Sequence, residues 1–276
     1  MPHQDPGATI VSLTTDFGLA DPFVGLVKAQ ILQRCPNARL IDLTHQIGPH
    51  RVEEAAFWLE RSWRFFPLGT LHLVVVDPGV GSARGVLAVS AAGHVFLGPD
   101  NGVLGGVAGA SGATVRSVTP QTLDGLRLAA PSATFHGRDV FAPLAGELAA
   151  GRLSFEVLGP EAPRWAGRPG PDPAVSDGGV VGRIVVIDRF GNCFSNIDVE
   201  VISRHEVAGV SFGDHALPLV RTYADRPPGT DIALINAFGV LEAARVQGNA
   251  AEALGLRPGS PVTVTWQDRA PAARRR

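Results

Sequence analysis

The stretch Leu71–Arg84, LHLVVVDPGVGSAR, decides how the rest of the chain is read. Leu71, Leu73, Val74, Val75 and Val76 form an apolar run closed by a turn signal, which fits a strand buried on both faces of a parallel sheet. Asp77 then falls at the carboxyl end of that strand, the edge where open α/β sheets bind ligands. Pro78 favours an extended Asp77, and Gly79 and Gly81 permit a tight bend. The bend would return Arg84 to within charge-pairing distance of Asp77. A structural Asp–Arg staple closing the loop is the alternative reading of this segment alone.

Towards the amino terminus, residues 8–15 (ATIVSLTT) read as a strand that delivers Asp16, Phe17 and Gly18 to its carboxyl end. That triplet shares its letters with a kinase metal-binding motif, but no catalytic loop or glycine-rich loop accompanies it. Asp21 and Pro22 supply a helix N-cap and a first-turn proline, and Phe23, Val27 and Ile31 keep helical spacing. Residues 39–43 read as a second strand, and Val52, Ala55, Ala56, Leu59 and Trp63 mark one face of a second helix. The β-α-β-α-β alternation predicts an amino-terminal α/β domain with a mostly parallel central sheet. Short strands follow near 86–91 and 94–98, then a turn at Pro99–Gly102. Gly79 and Gly81 have the spacing of a dinucleotide fingerprint, but position 84 is not glycine and a strand-like VLAVS follows, so a Rossmann cofactor site is excluded.

Towards the carboxyl terminus, His136 stands just before a predicted helix carrying Val140, Leu144 and Leu148. A local capping or packing role is its plain alternative. Residues 159–178 are rich in proline and glycine. Beyond them, β-like runs at 181–188, 207–212, 215–220, 231–236 and 261–267 predict a smaller, β-barrel-like domain. The expected division is 1–165 for the α/β domain, 166–178 for a linker and 179–276 for the β domain. Inside the latter, Asp188, Phe190 and Asn192 form a polar constellation with a flat aromatic face and an amide that both donates and accepts, suited to a purine edge. A β-turn explains the same residues. Phe-Gly pairs at 17, 190 and 238 raise the idea of a shared aromatic pocket.

Composition narrows the function classes. With 45% hydrophobic and 18% charged residues, the 276-residue chain fits a compact soluble protein. A net charge of −2 offers no footprint for nucleic acid or an anionic membrane. The start MPHQDPGATIVSL lacks the pattern of a signal peptide, and no apolar run is long enough for a membrane span. Cys35 and Cys193 are the only cysteines, which fits a cytoplasmic protein and leaves no zinc framework. Lys28 is the only lysine, so Schiff-base and P-loop chemistry have no motif to use. No G-x-S-x-G elbow is present.

Taken together, TTDFGLADPFVGLVK, IDLTH, VVDPGVGSAR, GPDNGVL, FHGRDVFAP and DRFGN resemble the S-adenosylmethionine (SAM) hydrolases, or SAM hydroxide adenosyltransferases, relatives of the enzymes that make 5′-fluoro- and 5′-chloro-adenosine. The resemblance implies an α/β domain followed by a β-barrel domain, and homotrimers whose active sites lie at subunit interfaces. It implies SAM and water as substrates, with no cofactor and no metal. It makes Asp77, Arg84 and His136 a water-activating triad and sets Asp16 on the ribose hydroxyls. It also brings Phe190 and Asn192 to adenine, and Asp188 and Asp21 to the methionine end. Halogenating relatives often carry a Ser-Arg pair near Ala237 and Phe238, which this chain lacks, and a tryptophan where it has His50. The rival expectations are a SAM-dependent 5′-halogenase and a non-catalytic SAM or adenosine sensor.

Overall fold

Strands β1 (Ile10–Thr15), β2 (Arg39–Thr44), β3 (Leu71–Val75), β4 (Val86–Ala91), β5 (His94–Pro99) and β6 (Thr114–Ser117) form one sheet in the order β2-β1-β3-β5-β4-β6. The computed structural model describes residues 9–126 and 131–267. Pairings are parallel from β2 through β1 and β3 to β5, and antiparallel for β5-β4 and β4-β6. The sheet is therefore mixed: three of its five pairings are parallel, in keeping with the mostly parallel sheet expected, and the antiparallel part lies beyond β5. The cause is local. Ala92 and Gly93 both adopt positive φ (47° and 80°), the tight turn that joins neighbouring strands only in antiparallel fashion.

β3 is buried along its whole length, as its apolar run predicts. Leu71, Leu73 and Val75 enter a core with Val27, Ile31, Leu144 and Ala145, from helices Phe23–Arg34 and Ala142–Ala149. Val74 and Val76 point to the opposite core, with Ala55 and Leu59 of helix Val52–Ser62. Asp21 is not the N-cap of the first helix: Pro22 holds that position, without a side-chain cap. The polar exception on β3 is His72, fully buried in a chain in which Ser12 Oγ lies 2.7 Å from His72 Nδ1 and His72 Nε2 lies 3.1 Å from His94 Nδ1.

The chain divides into two compact units, the first ending at Gly170 and the second beginning at Pro171. In the second, β7 (Ala174–Ser176), β8 (Gly179–Ile187), β9 (Cys193–Asp198), β10 (Val207–Phe212), β11 (His215–Ala216), β12 (Asp231–Ile235), β13 (Val240–Arg245) and β14 (Pro261–Trp266) form a curled sheet, ordered β11-β10-β14-β8-β9-β13-β12. β7 pairs with β8, so the stretch expected to be a linker holds a strand. Long β8 serves both halves: residues 179–183 pair with β14 and residues 184–187 with β9. The run expected as a strand over 215–220 is regular only at β11, yet it connects the edges of the sheet. Leu217 N–H donates to Val210, and Ala233 N–H donates to Pro218. Among the described residues no helix is long and apolar enough to cross a membrane, and the arginines at 274–276 lie outside the described residues.

Candidate active site

β1 and β3 are parallel neighbours, with Thr15 opposite Val75, so Asp16 and Asp77 emerge side by side at the carboxyl edge. β2 lies on the other side of β1, which makes β1/β3 the point where the strand order reverses. Crevices at such switch points are where α/β sheets hold ligands. Here a cavity of about 250 Å³ is lined by Asp16, His50, Asp77 and His136 among others. Asn101 helps to fix the end of β3, since its amide donates to Val76 C=O at 2.8 Å while its carbonyl accepts Val103 N–H.

The bend after Asp77 does what its glycines allow. Val80 N–H donates to Asp77 C=O at 3.2 Å, and the Ser82 hydroxyl donates to Gly79 C=O at 2.7 Å. Gly81 has φ 78°, and a Cβ there would stand 2.4 Å from the Ala133 carbonyl oxygen, so the loop carrying Arg84 lies tight against the segment leading to His136. Arg84 Nε is 3.0 and 2.9 Å from the two Asp77 oxygens, and its Nη2 also bonds Asp77 Oδ2. The same Nη2 lies 3.0 Å from His136 Nδ1. A guanidinium only donates, so Nδ1 accepts and the neutral imidazole carries its proton on Nε2. Burial and the Arg84 charge, in that order, lower the His136 pKa and keep the ring neutral.

His136 caps a π-helical turn, Gly137–Phe141, that runs into helix Ala142–Ala149. Asp139 in that turn accepts the Ser132 N–H at 3.0 Å and pairs with Arg138, whose hydrogen bonds hold the Asp139 carboxyl down at about 2. Ser132 Oγ accepts the Phe135 N–H, so the segment entering His136 is anchored from within. Asp16 is fixed differently. Its Oδ2 accepts the His50 N–H at 2.9 Å, and His50 reaches that position with φ 66°, in the left-handed region that non-glycine residues seldom visit. Beneath it, Thr15 Oγ1 lies 2.8 Å from His45 Nδ1, and His45 Nε2 lies 3.0 Å from Asp42, which pairs with Lys28. Phe17, Phe23 and Phe135 meet edge to face, with centroids 5.3–6.1 Å apart, and line the cavity.

Asp16, Asp77 and His136 thus share one cavity, with Arg84 bonded to two of them. Asp21 is exposed and is absent from the lining. Asp188, Phe190 and Asn192 line a different cavity, of about 800 Å³, in the second unit. There the β-turn alternative also holds: Gly191 N–H donates to Asp188 C=O, and Asp188 Oδ1 accepts the N–H groups of Phe190 and Asn192 at 2.9 Å each. The turn leaves Phe190 74% exposed. Of the Phe-Gly pairs, Phe17 lines the first cavity, and Phe190 and Phe238 line the second. Tyr223, Asn236 and Glu242 also line the second cavity and were not anticipated. Tyr223 lies outside any motif, and Glu242 sits in a run, VLEAAR, that reads as helix former. Among the described residues no group of three or more His, Cys, Asp or Glu side chains is placed to hold a metal ion.

Residues 11–159 match the family model of the SAM hydroxide adenosyltransferase N-terminal domain, and residues 182–263 that of the C-terminal domain. The chain belongs to the SAM hydroxide adenosyltransferase family. Within this family it is 40% identical to the (R)-S-adenosyl-L-methionine hydrolase of Thermus thermophilus, over 91% of this chain and 98% of that protein. It is 36% identical to the (R)-S-adenosyl-L-methionine hydrolase of Salinispora arenicola, over 92% and 97% of the two chains. A fluorinase of an Actinoplanes species is 30% identical over 94% of this chain and 98% of the relative. A crystal structure of an uncharacterized conserved protein from Thermotoga maritima superposes with a TM-score of 0.83 at 32% identity, covering 92% of this chain and 99% of that one.

Proposed function

We propose that this SAM hydroxide adenosyltransferase hydrolyses SAM to adenosine and methionine, by attack of water on C5′ and departure of the sulfonium sulfur. The observation that carries the reading is the convergence of Asp77, Arg84 and His136 beside Asp16 at the sheet's switch point. Sulfonium is already a good leaving group, so the nucleophile is the weak partner: bulk water has a pKa of about 15.7. His136, neutral and protonated on Nε2, orients the water as a donor, and the Arg84 charge favours developing hydroxide. Asp77 accepts the proton as the O–C5′ bond forms and the C5′–S electron pair leaves with methionine. His136 Nδ1, already occupied by Arg84, is not free to act as the base.

Asp16 holds the ribose diol through its carboxylate. Phe190 and Asn192 take adenine, while Asp188 and Asp21 face the ammonium of the methionine part. The reaction needs no metal and no cofactor beyond SAM itself. A homotrimer in the cytoplasm, with active sites at its subunit interfaces, belongs to the same reading and lets residues of both cavities meet one SAM molecule; light scattering should give three times the chain mass. A halide nucleophile is disfavoured because the Asp77 carboxylate in the cavity wall can only accept a hydrogen bond, which a water supplies and a halide does not. The test is incubation with SAM in ¹⁸O-water: adenosine labelled at the 5′ oxygen, plus methionine, is the expected result. Unchanged SAM would make the protein a sensor, and halide-dependent 5′-haloadenosine a halogenase.

A further inference from the structure

Glu242 is fully buried in the wall of the second cavity and is held by two neutral donors: the Tyr223 hydroxyl donates to Oε1 at 2.7 Å and the Asn236 amide donates to Oε2 at 3.0 Å. This geometry fixes the direction of the tyrosine proton. Because Tyr223 O–H is spent on the carboxylate, its oxygen can only accept from the cavity. Asn236 offers no competing acceptor, for its Oδ1 already accepts the N–H groups of Phe238 and Val240. Arg245, the cation in the same lining, is held by Asp231 through two bonds of 2.7 Å. Asp188, the other carboxylate there, can also only accept. The Tyr223 oxygen is thus a lining atom whose direction is fixed as an acceptor, and it favours a ligand N–H group placed against it.

We propose that Tyr223, locked as an acceptor by Glu242, is a specificity-determining residue that reads an N–H donor of the substrate. The inference rests on the SAM reading above. SAM presents two such groups, the 6-amino group of the purine and the ammonium of the methionine chain, and one chemistry serves both. Glu242 is a positioning residue, acting through the tyrosine.

The test compares kcat/KM of the full chain for SAM, for the analogue with a 6-oxo purine, and for the analogue lacking the amino group of the amino-acid chain. The wild type should reject one analogue about tenfold or more, because a lost donor leaves the tyrosine oxygen unpaired. Tyr223→Phe should lower that discrimination about tenfold and leave the other analogue's ratio unchanged, which identifies the group read. Glu242→Gln should go further. Its amide nitrogen donates to Tyr223, whose hydroxyl then turns its proton towards the cavity, so an acceptor on the ligand is favoured over a donor. If the 6-oxo analogue is the one read, its kcat/KM should rise relative to SAM in this variant. Tyr223 is partly exposed, so its phenylalanine variant keeps the test alive if Glu242→Gln fails to fold. Equal losses for all three substrates in every folded variant would overturn the proposal. Failure of the wild type to consume SAM would instead overturn the proposed activity.

Discussion

Asp77, in the first unit's cavity, is gripped by a guanidinium, whereas Glu242, in the second unit's cavity, is gripped by a phenol and an amide. The first arrangement compensates charge before any ligand arrives. Asp77 and Arg84 side chains are only 6% and 10% exposed, and their bidentate contact fixes both in the geometry a nucleophile meets. The second arrangement fixes hydrogen-bond direction and leaves charge to be met by what binds. Pre-paired charges serve a transition state, and directed neutral donors serve recognition. Substitutions in the two cavities should therefore divide between kcat and KM.

The largest expected effect lies with Asp77. Replacing it by Asn keeps the volume but removes the proton acceptor, and kcat for SAM should fall by about 10²–10⁴ while KM changes little. His136→Ala should fall within the same range, since the water loses its donor. A variant with kcat intact and KM raised would show that this cavity only binds, and the contrast between the two would collapse. A smaller effect is expected at Phe190. Removing a ring that stacks on a base is worth about 1–3 kcal/mol, so Phe190→Ala should raise KM about 5- to 150-fold with kcat nearly unchanged. A parallel fall in kcat in steady-state assays would place Phe190 in the chemistry instead.

How much of this was legible in sequence follows from where the interactions lie along the chain. The Asp77–Arg84 pair closes within one short loop, and the proline and two glycines between them state the bend, so the contact could be read directly. His136 joins from 52 positions beyond Arg84, and only the family resemblance linked it to them. β9, β13 and β6 escaped notice for a related reason. VLEAAR carries alanine and glutamate, poor strand formers, and becomes a strand because β9 and β12 flank it. The mixed order of the first sheet turned on two residues, Ala92 and Gly93, whose positive φ no hydrophobic pattern reveals. The support of Asp16 by the His50 backbone was invisible for the same reason: a main-chain donor leaves no side-chain signature.

The smallest effect separates the units by acid. His72 and His94 stand nitrogen to nitrogen with room for one proton between them, and a second would set two donors face to face. Burial, with His94 adding to it, pushes the His72 pKa down to about 3, against about 6.5 in the unfolded chain. Between those values the unfolded chain takes up a proton that the folded one refuses, so stability falls as pH drops below about 6.5. Glu242 runs the other way: burial raises its pKa, the folded form takes up the proton first, and acid relieves its burial. From pH 7.5 to 5.5 the histidine contributes a loss of about 1 kcal/mol. Hydrogen exchange on the intact protein, corrected for the intrinsic rate, should then show amides of β3 and β5 losing up to about tenfold in protection while those of β9 and β13 hold or gain. Equal losses in both sheets would mean that the protons enter elsewhere, and replacing His72 by Phe, which removes one titrating ring, should shrink the loss in β3 and β5.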